Sequence, residues 1–192
     1  RLIVKKNRYE AQQLFQRLSM LEENVLLFVM EESLRVQSIA SSPEDREGMI
    51  YALTKIVRSD ESMLVVCNTA ALLRFLPDVE YFKENLIDLK VDQTCSMKEL
   101  RSHLNQSGYA KVNYVDKPCT YACRGGIIDI FSLEYDYPIR IEFFDTEIES
   151  IRFFNEQTQR TIRSIDSVEI GPATDILLTN QQIEIIKEAV FE

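Results

Sequence analysis

The stretch from Arg124 to Arg152 leaves the fold the least freedom. Arg124-Gly-Gly-Ile-Ile-Asp-Ile-Phe131, Tyr137-Pro-Ile-Arg-Ile-Glu-Phe-Phe144 and Glu147-Ile-Glu-Ser-Ile-Arg152 are joined by links too short for a crossover helix, so they read as two or three paired antiparallel strands. A strand repeats every two residues, which puts Ile139, Ile141 and Phe143 on one face and Arg140, Glu142 and Phe144 on the other. The apolar set is the core side. Phe144 then stands among charges, an unusual place for a large aromatic unless a partner covers it.

With 192 residues, 45% of them hydrophobic, the chain has apolar mass for one large domain or two small ones. No run approaches the roughly 18 consecutive apolar residues of a membrane span. No charged-then-apolar leader opens the chain, and a cytoplasmic location is expected. The formal net charge of −9 opposes a function whose affinity comes from neutralising phosphates, which needs a concentrated surface of lysine and arginine. Acidic residues gather between Glu142 and Glu156 with arginines set singly among them, a pattern suited to protein recognition rather than to tracking along a nucleic acid. Of the four cysteines, Cys67, Cys95, Cys119 and Cys123, only the last two have a short metal-like spacing; they lack a second pair, and His103 is the sole histidine. Reduced thiols and no bound metal are expected.

The first part alternates strand and helix. Leu2-Ile-Val4 is a short apolar run, Asn7 caps a helix to about Met20 with Ala11, Leu14, Phe15 and Leu18 as its stripe, and Val25 to Val29 is a second buried strand. Ser42-Pro43-Glu44-Asp45 starts a helix to about Val57, with a capping hydroxyl, a proline in the first turn and acids at the positive end of the dipole. Met63 to Cys67 is a third buried strand, and Asn68 caps a short helix ended by Pro77. Continuous apolar strands separated by helices imply a mostly parallel sheet covered on both faces. Nothing matches the phosphate loop G-x-x-x-x-G-K-[ST], so this α/β part is expected to be scaffold.

From about Asn85 the pattern changes. Leu86 to Val91 reads as a half-exposed strand, Ser96-Met-Lys-Glu99 opens a helix with Met97, Leu100 and Leu104 inward, and Gly108 ends it. Tyr109 to Val115, Thr120 to Arg124, Ile127 to Phe131, Ile139 to Phe144, Ile148 to Phe154 and Val168 to Ile170 follow as largely antiparallel strands. The expected fold class is α/β, with a mostly parallel sheet and flanking helices, plus a smaller α+β domain in which a helix packs on a curled antiparallel sheet. Asp175 to Glu192 is helix-like around Ile183, Ile186 and Val190. Both ends read as cut, which makes the chain a piece of a longer protein.

Several residues carry two readings. Arg140 and Glu142 form either a binding face or a solvated cross-strand ion pair of little worth. Phe144 is either an exposed anchor or core packed beneath Cys119 to Arg124. Arg124 is either a contact residue or a turn arginine before two glycines that serve a backbone bend. Asp129, among isoleucines, needs a partner if buried, with Arg140 and Arg152 the candidates. Asp129 and Glu142 as a catalytic acid pair lack an accompanying nucleophile or metal cluster.

With these phrases in view, the chain resembles the N-terminal region of bacterial transcription-repair coupling factors (Mfd), which is similar in turn to the first two domains of the excision-repair protein UvrB. The resemblance runs through Tyr9-Glu-Ala-Gln12, Ser42-Pro43, Arg124 to Phe131, Pro138 to Phe144, Glu147 to Arg152 and Gln157 to Arg160. It implies residues 1–84 as a UvrB-like domain 1a without a phosphate loop, 85–168 as a UvrA-binding domain 2, and 169–192 as the start of a return segment, domain 1b. It implies a non-catalytic module that recruits UvrA to stalled RNA polymerase for nucleotide excision repair, with Arg124, Arg140, Phe144 and Glu142 as contact residues. No cofactor is implied here; ATP and Mg belong to the motor of the full-length protein, as do the contacts with RNA polymerase and DNA, and the UvrA face is masked by the rest of that protein. The alternative is a fragment of a UvrB-type, ATP-dependent damaged-DNA helicase, which the missing phosphate loop and the missing tyrosine-rich hairpin oppose.

Overall fold

Leu2–Lys5 (β1), Val25–Phe28 (β2) and Leu64–Asn68 (β3) form a parallel sheet in the order β1-β3-β2. A computed structural model describes residues 1–31 and 43–177 together with 182, 185 and 188. Alternation along β3 sends Val66 to one face and Cys67 to the other. On the Val66 side lie Ala11, Val25 and Val29, with Leu14, Phe15 and Leu18 of the helix Arg8–Leu18 (α1) packed against them. On the Cys67 side lie Phe28, Met49, Ala52 and Ala71, the middle two from the helix Pro43–Arg58 (α2). The sheet is therefore covered on both faces, as its continuous apolar strands require.

Local chemistry sets the helix ends. The Asn7 side chain accepts from the Glu10 amide at 2.9 Å, a cap worth about 1 kcal/mol. Glu44 and Asp45 occupy the first turn of α2, Lys55 and Arg58 the last, each sign matching the dipole; the capping hydroxyl of Ser42 lies outside the described residues. Asn68 caps the helix Thr69–Leu72 (α3). That helix stops well short of Pro77, because Leu73 and Arg74 bond the carbonyls of Ala70 and Ala71 three residues back and tighten the last turn. After Pro77, Asp78 caps a further helix, Val79–Glu84 (α4), that the sequence reading omits.

The strands beyond are Ile87–Lys90 (β4), Ala110–Lys111 (β5), Thr120–Arg124 (β6), Ile127–Phe131 (β7), Ile139–Phe144 (β8), Glu147–Phe154 (β9), Thr161–Ile165 (β10) and Ser167–Ile170 (β11). Six of them form a sheet in the order β10-β9-β8-β7-β6-β5, antiparallel except for the β5–β6 pair, while β4 and β11 pair separately. The helix Met97–Gln106 (α5), capped by Ser96, sends Leu100 and Leu104 into a core with Ile87, Leu89, Ile128, Ile130, Ile139, Ile141, Ile148 and Ile151. Each such isoleucine contributes about 1.5–3 kcal/mol of transfer free energy.

Two strand expectations need correction. Tyr109 to Val115 is a strand only at Ala110–Lys111, because Tyr109 and Val115 are buried individually and the Tyr109 hydroxyl donates to the Gly171 carbonyl at 2.8 Å. β10 was not anticipated; Thr161 to Ser164 are exposed on the sheet edge and show no apolar alternation. Arg58 at the end of α2 bonds Asp88 of β4 at 2.7 Å and Glu169 of β11 at 3.3 Å, tying the helix to the small sheet. Ile183, Ile186 and Val190, read as a helix stripe, lie outside the described residues. No helix among the described residues is long and apolar enough to cross a membrane.

Candidate interface on the outer face of the sheet

Two tight hairpins place Arg124 and Phe144 at one end of the six-stranded sheet. Arg124 pairs with Ile127 across Gly125-Gly126, and Phe144 pairs with Glu147 across Asp145-Thr146. Gly125 has φ 56°, where a side chain is strained. Gly126 is needed for a different reason: a Cβ there would sit 2.9 Å from the Phe143 carbonyl oxygen. The Phe143 amide donates to the Gly126 carbonyl at 2.8 Å, so the first hairpin tip lies directly beside the end of β8.

Along β8 the period of two holds. Ile139 and Ile141 are fully buried and Phe143 nearly so, whereas Phe144 is 73% exposed. The reading that packs Phe144 beneath Cys119 to Arg124 is thereby overturned, since its neighbour Phe143 takes the inward position and Phe144 points away from that core. Exposure alone does not single it out, because Phe75, between α3 and α4, is 98% exposed. What distinguishes Phe144 is its place in a paired strand beside a network of charges.

That network differs from the expected one. Arg140 and Glu142 do not pair with each other. The register sets Asp129 across from Arg140, and Arg140 donates to both Asp129 oxygens, from Nε to Oδ1 at 2.7 Å and from Nη2 to Oδ2 at 2.8 Å. Arg124 Nη2 donates to the same Oδ2 at 3.1 Å. Arg152, the other candidate partner for Asp129, bonds Glu142 instead, and Glu142 also accepts from the Ser150 hydroxyl at 2.9 Å. Glu142 therefore orients Arg152 and neither Arg124 nor Arg140.

Asp129 is 3% exposed, so the carboxylate is tolerable only because two guanidinium groups replace its water. Arg140 is held tightly. Its guanidinium carbon lies 4.2 Å from the centre of the Phe154 ring, and Nη2 also reaches Gln159 Oε1 at 2.8 Å. Its side chain is only 13% exposed, and the hydrogen bond it donates to Asp129 raises its pKa against the opposing effect of burial. Arg124 stays 45% exposed and rests 5.2 Å from the Tyr114 ring centre. Phe154 and Gln159 were not singled out from sequence. Adjacent Phe153 and Phe154 must face opposite ways in a strand, which is a usable signal; Gln159 falls in the stretch Gln157 to Arg160 that carries the resemblance, but nothing in the sequence marks it as a partner of Arg140.

The acid-pair reading of Asp129 and Glu142 finds no support, because each carboxylate is taken by arginine. Burial pushes the Cys119 thiol up to about 12, far from a thiolate at neutral pH. Among the described residues no group of three or more His, Cys, Asp or Glu is arranged to hold a metal.

Residues 87–176, which contain this whole network, match the UvrB interaction domain family. The chain is 35% identical over 182 residues to the transcription-repair-coupling factor of Bacillus subtilis (strain 168), covering 94% of the chain and 15% of that protein. The chain belongs to the transcription-repair coupling factors. The factor of Staphylococcus aureus (strain MRSA252) is 33% identical over 196 residues, covering 97% of the chain. The chain spans about 15–16% of the length of these coupling factors. Within the family segment the outer face of the sheet carries Arg124, Arg140, Glu142 and Phe144 together, with Arg140 and Glu142 committed internally, Arg124 paired with Asp129 but half exposed, and Phe144 open.

Proposed function

We propose that this chain is a non-catalytic protein-interaction module of a coupling factor, that it docks UvrA through the outer face of the six-stranded sheet, and that this recruits UvrA to stalled RNA polymerase for nucleotide excision repair. The observation that carries the reading is Phe144, a large aromatic mostly exposed on a paired strand, at the same end of the sheet as Arg124. Aromatic and arginine side chains dominate the energetics of protein interfaces, and a site on a strand is held more firmly than one on a loop. The α/β part serves as platform: the amide of Asn68, at the carboxyl end of β3, is spent on the backbone of Met30, with donation at 2.8 Å and acceptance at 3.1 Å.

In the longer protein, ATP, Mg, DNA and RNA polymerase would be handled by other segments, in the cytoplasm, and the UvrA face would be masked until the motor engages. The chain alone presents the face open. Calorimetric titration with UvrA, comparing the wild type with Phe144→Ala and Arg140→Ala, tests the assignment. A loss of about thirtyfold in affinity is expected for Phe144→Ala; full affinity in both variants refutes the face.

A further inference from the structure

The guanidinium of Arg140 carries five N–H hydrogens, and three of them are spent inside the protein. Nε gives its one to Asp129 Oδ1 at 2.7 Å, while Nη2 gives one to Asp129 Oδ2 and the other to Gln159 Oε1, each at 2.8 Å. The two that remain are both on Nη1. That nitrogen makes no hydrogen bond among the described residues and is not sealed from solvent, so it belongs to the small exposed part of the side chain. Gln159 is built to hold this arrangement. It lies in the turn Asn155 to Arg160 at φ 59°, a left-handed conformation unusual for a long side chain. Asn155 closes the turn: its carbonyl accepts from the Gln159 amide at 2.8 Å, its side chain accepts from the Thr158 amide and hydroxyl at 2.8 and 2.9 Å, and its amide donates to the Arg160 carbonyl at 2.9 Å. One orientation of the Gln159 side chain suits both neighbours, with Nε2 donating to the Glu156 carbonyl at 2.8 Å and Oε1 accepting from Arg140. Turned over, it would set an oxygen against a carbonyl and an amino group against the guanidinium.

We infer that Gln159 is a positioning residue that sets the specificity of this face: it limits Arg140 to one neutral acceptor, an amide carbonyl of the protein partner, reached by Nη1. An arginine recognises a carboxylate or phosphate through two parallel N–H bonds from one edge of its plane. The Nε and Nη2 edge is spent on Asp129. The Nη1 and Nη2 edge would need the hydrogen that Gln159 takes. Asp129 also balances the charge of Arg140 at hydrogen-bond distance, which weakens its pull on a further anion. The Phe154 ring lies 4.2 Å beneath the guanidinium carbon and fixes the plane, so Nη1 points in one direction. A single aimed donor without surplus charge suits a carbonyl oxygen on a folded protein and does not suit a phosphate backbone.

The partner side of this role rests on the reading in which UvrA docks the outer face, and two measurements separate the claims. Calorimetry gives UvrA affinity for wild type, Gln159→Gly, Arg140→Lys and the double variant; Arg140→Lys keeps a cation beside Asp129 but has no second terminal nitrogen. Gln159→Gly is expected to lower affinity about fivefold, and to change it less than about twofold in the Arg140→Lys background. Its melting temperature is expected to stay close to that of wild type, because glycine relieves the left-handed backbone as the side-chain bonds are lost. In the chain alone, the Arg140 Nε–H resonance is followed by NMR as inorganic phosphate is added. It is expected to shift in Gln159→Gly, where the second edge is freed, and to stay in place in wild type. Failure of wild type to bind UvrA overturns the docking reading, and the phosphate comparison then still decides what Gln159 does to Arg140. Wild-type binding that Gln159→Gly leaves unchanged, or weakens equally in both backgrounds, overturns the positioning role alone. Phosphate that shifts the resonance of wild type as far as that of Gln159→Gly overturns the restriction to one neutral acceptor.

Discussion

On the inner face of the six-stranded sheet β8 presents Ile139, Ile141 and Phe143, none more than 8% exposed. One residue along the same strand, the outer face presents Arg140, Glu142 and Phe144, whose exposure climbs toward the hairpin tip, from 13% and 27% for the two charged side chains to 73% for the phenylalanine. The inner face is uniform because every position answers to the same demand, removal of apolar surface from water. The outer face is graded. Its deep end, where Arg140 lies between Asp129 and Phe154, is closed and serves the fold; its tip, with Phe144, is open and adds little to it. A charged surface on a sheet can thus divide into a part that stabilises and a part that recognises.

The sharpest way to break this division is at Asp129. Asp129→Ala removes a buried carboxylate and leaves Arg140 uncompensated on a largely closed surface. A loss of about 3–5 kcal/mol in urea unfolding is expected. A loss below about 1 kcal/mol means that the deep end of the outer face is no more structural than ordinary surface. On the inner face, Ile141→Ala, at a fully buried site, is expected to cost about 3 kcal/mol through lost transfer energy and a residual cavity. The two values together test whether a polar and an apolar position on one strand contribute comparably to stability.

How much of this was legible in the sequence follows the same line. β6, β7 and β8 begin and end where the alternation and the turn residues place them, because both faces of those strands are under constraint and a slip of one residue would expose every isoleucine. β10 was invisible, since an edge strand with four exposed residues has no buried face to leave a pattern. α4 was missed because it is six residues long and buries only Phe82. The face of β8 that holds the candidate residues is readable from periodicity, yet the pairing is not. Asp129 had two possible arginines, and the choice depended on the register between β7 and β8 across the connection Ser132 to Pro138, which is too long for a turn type to fix that register.

A smaller effect is expected at the first hairpin tip. In Gly126→Ala the new Cβ meets the Phe143 carbonyl oxygen at 2.9 Å, and a backbone atom in a paired strand yields only by disturbing its ladder. Destabilisation of about 1–3 kcal/mol is expected, together with weaker UvrA binding, because the tip that carries Arg124 is displaced relative to Phe144. If UvrA affinity is unchanged while stability falls, the two hairpin tips act independently in docking.

The smallest effect on stability should come from Phe144→Ala. The side chain is mostly exposed and its removal opens no cavity, so unfolding free energy should move by no more than about 0.5 kcal/mol. The same substitution should cost about 2 kcal/mol of UvrA binding. Near-silence in folding with a large loss in binding is what separates an anchor from a core residue. A stability loss of about 3 kcal/mol or more would place Phe144 with Ile141 on the folding side of the strand, and the gradient along the outer face would then end in structure rather than in recognition.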